Sequence, residues 1–346
     1  MSQYWAILNI DKRRKLSLSN LGRALFYGLD KFSIKLCHPP NKVVFLSTSS
    51  LKKAGAVRRS TACHLLQLPN ELLHAIFELL DDLEDAMLLG LTCQTLWDIG
   101  RMRMEKEVQK IATGRSWAGD RIICIGHFPK DGDTVPMMPP GLLTADEEAE
   151  FLDPLPDTFS PRDEEGAVAS TEIPSLYRLK CKVNSNRQQH LLLSDFFAGT
   201  IGHMMWSPDG SRCIKRGDFE VARQLFDQYA WSIEHLARTK KWCVLRNLSR
   251  HQVVFEADFR EFNKKPNMAK FWFGNLVLMH ICWSSNPAAN RRGDGKIYRG
   301  DWAGDRFDIV TEDDFKRECA GSEEEWTDVG DELLQEAEEL WAFQEW

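Results

Sequence analysis

The chain has no apolar run approaching the roughly 18 residues of a membrane span; its densest stretch, Leu276 to Trp283, is far too short. It has no CxxC pair and no Cys/His cluster at zinc spacing, and its start lacks a secretory h-region. Nine cysteines are instead scattered from Cys37 to Cys319, a usage that fits reduced thiols rather than a disulfide framework. G-x-S-x-G, H-E-x-x-H, P-loop and dinucleotide fingerprints are missing, and His190, His203, His251 and His280 have no metal-spaced partner. WD, kelch and leucine-rich repeats are missing too. These absences lead us to expect a soluble, non-enzymatic protein of the cytoplasm and/or nucleus, with no metal, cofactor or membrane.

Charge is present but unevenly spread. Residues 1–63 carry 12 Lys+Arg against Asp11 and Asp30, whereas residues 312–346 carry 14 acids against Lys316 and Arg317. The basic head, with Lys12-Arg13-Arg14-Lys15, reads as a disordered extension, an import signal or a transit peptide. Nucleic acid is not an expected partner, because the remainder of the chain is acidic.

Eight of the 14 prolines fall between Pro129 and Pro174, so residues 127–175 read as a long, mostly disordered loop. Inside it, Thr144-Ala145-Asp146-Glu147 has capping-box spacing for one short helix. Asp218 to Leu236 has helical apolar spacing. Strands are expected at Trp242 to Leu245, Val253 to Phe255 and Leu276 to Trp283, with residues 246–252 as a hairpin connection, and an amphipathic helix at Asp331 to Trp346. The pentapeptide Trp117-Ala118-Gly119-Asp120-Arg121 recurs as Trp302-Ala303-Gly304-Asp305-Arg306, each copy followed by a strand-like run, Ile122 to Ile125 and Phe307 to Val310. Two similar turns closing one β domain, or a polar recognition cluster of Trp117, Asp120, Arg121, Trp302, Asp305 and Arg306, both fit this repeat. All these strands are expected to share one sheet.

Leu65 to Arg101 is leucine-rich and helical in spacing. Pro69 suits the first position of a helix, which leaves Leu68 at the N-cap. Leu72, Leu73, Ile76, Phe77, Leu79 and Leu80 then cover an arc of about 160° at about 100° per residue, wider than one packing stripe needs. Leu83 to Leu91 gives a second helix, weakened at Gly90, and Thr92 is positioned to cap a third.

The order Leu68, Pro69, Glu71, Leu72, Leu73, Ile76, Phe77, Leu80, Asp85, Leu88, Leu91, Cys93, Leu96, Trp97 resembles an F-box. Segments around Trp242, Ile281-Cys282-Trp283-Ser284 and Trp302 are similar to fungal F-box proteins with an uncharacterised C-terminal domain. The resemblance implies a non-catalytic substrate receptor of a Skp–cullin–F-box ubiquitin ligase. It would dock on the Skp adaptor and, through it, on cullin and ring-finger subunits, and hold an unknown protein substrate; a scaffold without substrate ubiquitylation is the alternative. Leu68, Pro69, Leu72, Leu73, Ile76 and Leu80 would be adaptor contacts, with Phe77, Leu88, Leu91, Leu96 and Trp97 shared between contact and packing. The expected fold class is α+β. It comprises a basic extension (1–63), a three-helix F-box module (64–110), a β-rich mixed domain (111–126 plus 176–315), the loop (127–175) and an acidic tail with a terminal helix (316–346).

Overall fold

The computed structural model describes residues 5–18, 21–26, 30–38, 64–126, 139–152, 243–265, 271–284, 299–321 and 324–342. The helix expected at Asp218 to Leu236, and most of the 127–175 loop, lie outside them. Both helices and mixed sheets are present, so the chain is α+β. It divides into two compact units, Met1–Leu36 with Trp117–Val183 and Trp242–Trp346, and Cys37–Ser116 with Asn184–Lys241. No helix among the described residues is long and apolar enough to cross a membrane.

In chain order the elements are β1 (Trp5–Asn9), β2 (Arg14–Leu18), α1 (Leu21–Phe26), α2 (Asp30–Leu36), α3 (Asn70–Leu79), α4 (Leu83–Leu91), α5 (Gln94–Arg115), β3 (Ile122–Gly126) and α6 (Ala145–Leu152). There follow β4 (Cys243–Asn247), β5 (Gln252–Phe255), α7 (Glu256–Phe262), α8 (Phe273–Ile281), β6 (Cys282–Trp283), β7 (Phe307–Thr311), α9 (Glu312–Cys319), β8 (Thr327–Asp328) and α10 (Gly330–Ala342).

The first unit contains two four-stranded sheets, ordered β2-β1-β3-β6 and β7-β4-β5-β8. This corrects the expectation of one shared sheet: β3 pairs with β1 and β6, and it meets the start of β7 at an antiparallel bridge between Arg121 and Arg306 and the hydrogen bonds beside it. The basic head is also corrected. Its described residues supply β1, a strand with all five residues buried that lies between β2 and β3. Ala6, Leu8, Ile123 and Ile125 pack beneath Leu142 and Leu143, so the described part of the Pro-rich segment belongs to the core. The acidic tail adds the exposed edge strand β8 and buries Leu333, Leu334 and Ala337 of α10.

The run Leu276 to Trp283 is helix α8 followed by the short β6, not a single strand. All nine residues of α8 are buried, and a helix buried on every side gives the same apolar run as a central strand. Asn275 decides the matter locally. Its carboxamide oxygen accepts the Trp272 N–H at 3.0 Å at the helix start, and its nitrogen donates to the Leu25 carbonyl at 2.6 Å.

In the second unit, α3, α4 and α5 close around Leu73, Phe77, Met87, Leu96, Trp97 and Met104. Pro69 is the N-cap of α3 and not its first helical residue, because its ψ of 148° is extended; its carbonyl accepts from Leu72 and Leu73 N–H. Thr92 does not cap α5. Its hydroxyl donates back to the Leu89 carbonyl at 2.6 Å, and extended Cys93 takes the N-cap position. The third helix is long, reaching Arg115, so the unit runs past the expected limit at residue 110. Two glycines permit this packing. A Cβ on Gly100 would stand 2.3 Å from the Phe77 ring, and one on Gly90 would stand 3.3 Å from Trp97 and Met104.

Candidate functional site

Two candidates follow from the sequence, one in each unit. In the first, the turn at Trp117–Arg121 is shaped by Gly119 at φ 77° and the turn at Trp302–Arg306 by Gly304 at φ 91°. The structure gathers all six predicted residues around these turns and adds Asn9, Asp11, Lys12, Glu147, Asn247 and Arg250. Asp120 accepts from Asn9 Nδ2 and Lys12 Nζ, each at 2.7 Å. Asp305 accepts from Asn247 Nδ2 at 2.8 Å and Arg250 Nε at 2.7 Å. Arg121 is clamped between Asp11 (2.8 Å from Nε) and Glu147 (2.7 and 3.1 Å). Arg306 Nη1 donates to Asp11 at 2.8 Å and to the Gly119 carbonyl at 2.7 Å.

The electrostatics follow these contacts. Hydrogen bonds from Arg121 draw Glu147 down to about 2. Burial would raise Asp11, but Arg121 and Arg306 outweigh it and hold the carboxyl below its ordinary value. Every predicted charged group here is tied to a partner in the chain, so the cluster fastens the two turns together. Trp117 and Trp302 are buried. Lys35 Nζ sits 5.2 Å over the Trp117 ring, and His280 lies 5.0 Å from Trp302, whose Nε1 donates to Gln252 at 2.9 Å. Burial pushes His280 down to about 4, and its Nε2 has no hydrogen-bond partner among the described residues. Among these residues no group of three His, Cys, Asp or Glu is arranged to hold a metal ion.

The second candidate is α3. Leu68, Leu72 and Leu79 are 37%, 50% and 80% exposed, although they are large and apolar. Leu72 and Leu79, with half-buried Ile76 between them, fall at helical spacing along one side of α3, and Leu68 lies just before the N-cap. Pro69 is exposed at its start, and Leu80, Leu88 and Leu91 are half-buried. Leu73, Phe77, Leu96 and Trp97 are almost wholly buried and build the core of the helical unit. That places Leu73 inside, where the sequence reading had it on the contact face. The most exposed residue of the stripe, Leu79, was not among the predicted contacts; its membership of the oversized apolar arc was the available signal. Met102 on α5 is 59% exposed and was missed as well.

Arg103 holds the end of α3 in place. Its guanidinium donates to the Leu80 carbonyl at 3.2 Å and pairs with Glu107 at 2.7 Å. The stripe is therefore presented on a fixed helix and not on a frayed end.

Compared with protein-family models, curated proteins and solved structures, the chain matches none.

Proposed function

We propose that the chain is an F-box substrate receptor of a Skp–cullin–F-box ubiquitin ligase, with the helical unit docking on the Skp adaptor and the α+β unit holding a protein substrate. The observation that carries the reading is the exposure of Leu72 and Leu79 on one side of α3 with Ile76 between them, and of Leu68 and Pro69 just before it. Large apolar side chains lined up on a rigid helix remain in water at a cost unless a partner covers them. The motif resemblance suggests the kind of partner, and the separation of exposed from buried leucines supports the following division of roles. Leu68, Pro69, Leu72, Ile76 and Leu79 face the adaptor, while Leu73, Phe77, Leu96 and Trp97 maintain the module.

Pull-down of purified Skp adaptor by the full chain tests this. Leu72→Asp and Leu79→Asp place a charge in the proposed apolar interface at a cost of several kcal/mol, so binding should fall by about 100-fold or more. Both positions face water in the free chain, so thermal unfolding should be unchanged. Full-strength adaptor binding by both variants overturns the assignment. Recovery of the adaptor without cullin or ring-finger subunits from cells favours the scaffold.

A further inference from the structure

The first unit repeats itself well beyond the two pentapeptides. Asn9, Ile10, Asp11, Lys12 and Arg13 correspond in position to Asn247, Leu248, Ser249, Arg250 and His251. The Lys12 N–H donates to Asn9 Oδ1 at 2.8 Å, and the Arg250 N–H to Asn247 Oδ1 at 3.2 Å. Asn9 reaches Asp120, and Asn247 reaches Asp305. Ile10 N–H donates to the Arg121 carbonyl at 3.0 Å, and Leu248 N–H to the Arg306 carbonyl at 2.8 Å. Among the described residues, only Arg13 (φ 51°) and His251 (φ 53°) are non-glycine residues at positive φ, and they hold the same place in the two hairpins. The strand pairings agree, since Asn9 stands opposite Ile122 and Asn247 opposite Phe307, the residue that follows each pentapeptide.

The contacts between the halves are reciprocal. Gly119 N–H donates to the Phe307 carbonyl at 2.8 Å, and Gly304 N–H to the Ile122 carbonyl at 2.9 Å. Helix α2 packs on β7, and α8 packs on β3. Exchange of i with j and j with i is the mark of a twofold relation, and the Arg121–Arg306 bridge lies where its axis would pass.

We infer that the first unit is an internal duplication of one hairpin–helices–strand element, the copies facing each other across an approximate twofold axis, and that the helical unit is an insertion into the first copy. The insertion point is marked by a shared hydrogen bond. Trp117 N–H donates to the Lys35 carbonyl at 2.6 Å, and Trp302 N–H to the His280 carbonyl at 2.9 Å. Each copy thus closes a helix end onto its own Trp. The first copy leaves at Lys35 and returns at Trp117 after the stretch that holds the helical unit; the second leaves at His280 and returns at Trp302 by a far shorter connection. Docking is therefore an accessory of a scaffold that is complete in both copies. This inference is independent of which partner the helical unit takes.

The copies differ at one telling place. Asp11 accepts the Arg121 N–H at 2.9 Å, whereas Ser249 accepts the Arg306 N–H at 2.9 Å through its hydroxyl. If the copies are equivalent, the acid can be moved from one to the other. Thermal unfolding of the full chain should show Asp11→Ser lowering Tm by several degrees. Adding Ser249→Asp should restore at least half of that loss, with Arg306 turning to the new carboxylate. A double variant that melts at or below Asp11→Ser overturns the equivalence. Should Asp11→Ser give no cooperative transition, Asp11→Asn serves as the starting variant, with the same two outcomes.

Discussion

Arg246 and Asp308 stand directly opposite each other on β4 and β7, joined by two hydrogen bonds of 2.8 and 2.7 Å and almost completely buried. The corresponding places on β1 and β3 are held by Leu8 opposite Ile123. One sheet therefore has a purely apolar cross-strand pair where the other has an ion pair. Glu318 and Trp326 shelter the ion pair, with the Arg246 guanidinium 5.6 Å over the indole.

Removing one partner should cost far more than removing both. Asp308→Ala leaves a buried guanidinium half-satisfied and should lower unfolding free energy by about 3–5 kcal/mol. The double variant Arg246→Leu with Asp308→Ile copies the other sheet and should return to within about 1 kcal/mol of the parent, since apolar replacements of buried pairs are often neutral or better. Urea denaturation of the three proteins checks this.

Gly100→Ala should destabilise the helical unit although alanine is the better helix former by about 1 kcal/mol. The new Cβ would sit 2.3 Å from the Phe77 ring, which is 1% exposed and has little room to move. A loss of about 1–3 kcal/mol is expected. Weaker adaptor binding should follow from the displaced α3, and hydrogen exchange in residues 70–115 checks the cause.

Stability should fall with acid in two windows. His280 is held neutral at about 4 against an ordinary 6.5, so the unfolded chain takes up the proton first and stability drops as pH falls from about 6.5 to about 4. Glu147 is lowered to about 2 from 4.5, so its contribution is present above about 4.5 and is lost as pH falls towards 2. His280→Phe should flatten the upper window, and Glu147→Gln the lower. Denaturant titrations between pH 7 and 3 separate them.

Deleting residues 2–18 should abolish cooperative unfolding of the α+β unit. Strand β1 is interior to its sheet, and without it β3 loses its whole antiparallel partner. Excising residues 139–152 should also destabilise, because Leu142, Leu143 and Glu147 go with them. Solubility and near-ultraviolet circular dichroism of each deletion report the outcome.

The helical unit was the most legible part of the chain, because its contacts are local and leucine spacing reports them directly. α4 falls at its expected limits, as does the start of α6, and the β4–β5 hairpin is where it was expected although its strands take in Arg246, Asn247 and Gln252 from the expected connection. The β1–β2 hairpin escaped notice because its basic residues dominated the reading, although Trp5-Ala6-Ile7-Leu8 is strand-like. α8 was misread because it is buried on all sides and presents no polar face to set a period. The pentapeptide repeat was visible, but the wider repeat was not. Beyond the pentapeptides its copies share Asn9 with Asn247 and a basic residue three places on, too little identity to register until the hydrogen bonds align them.

Asn9 and Asp120 touch across 111 positions of sequence. A ribosome adding about 5–20 residues per second needs on the order of 5–20 s to cover that distance. During that time β1 has β2 on one side and nothing on the other, so an apolar strand edge waits in the open for β3. Helices α3 to α5 emerge within the same interval and can close on their own local contacts. The helical unit is thus finished before the α+β unit, and the length of chain between β2 and β3 sets how long the nascent chain displays an edge to its neighbours. Slower synthesis of residues 37–116 lengthens the period in which newly made chains aggregate.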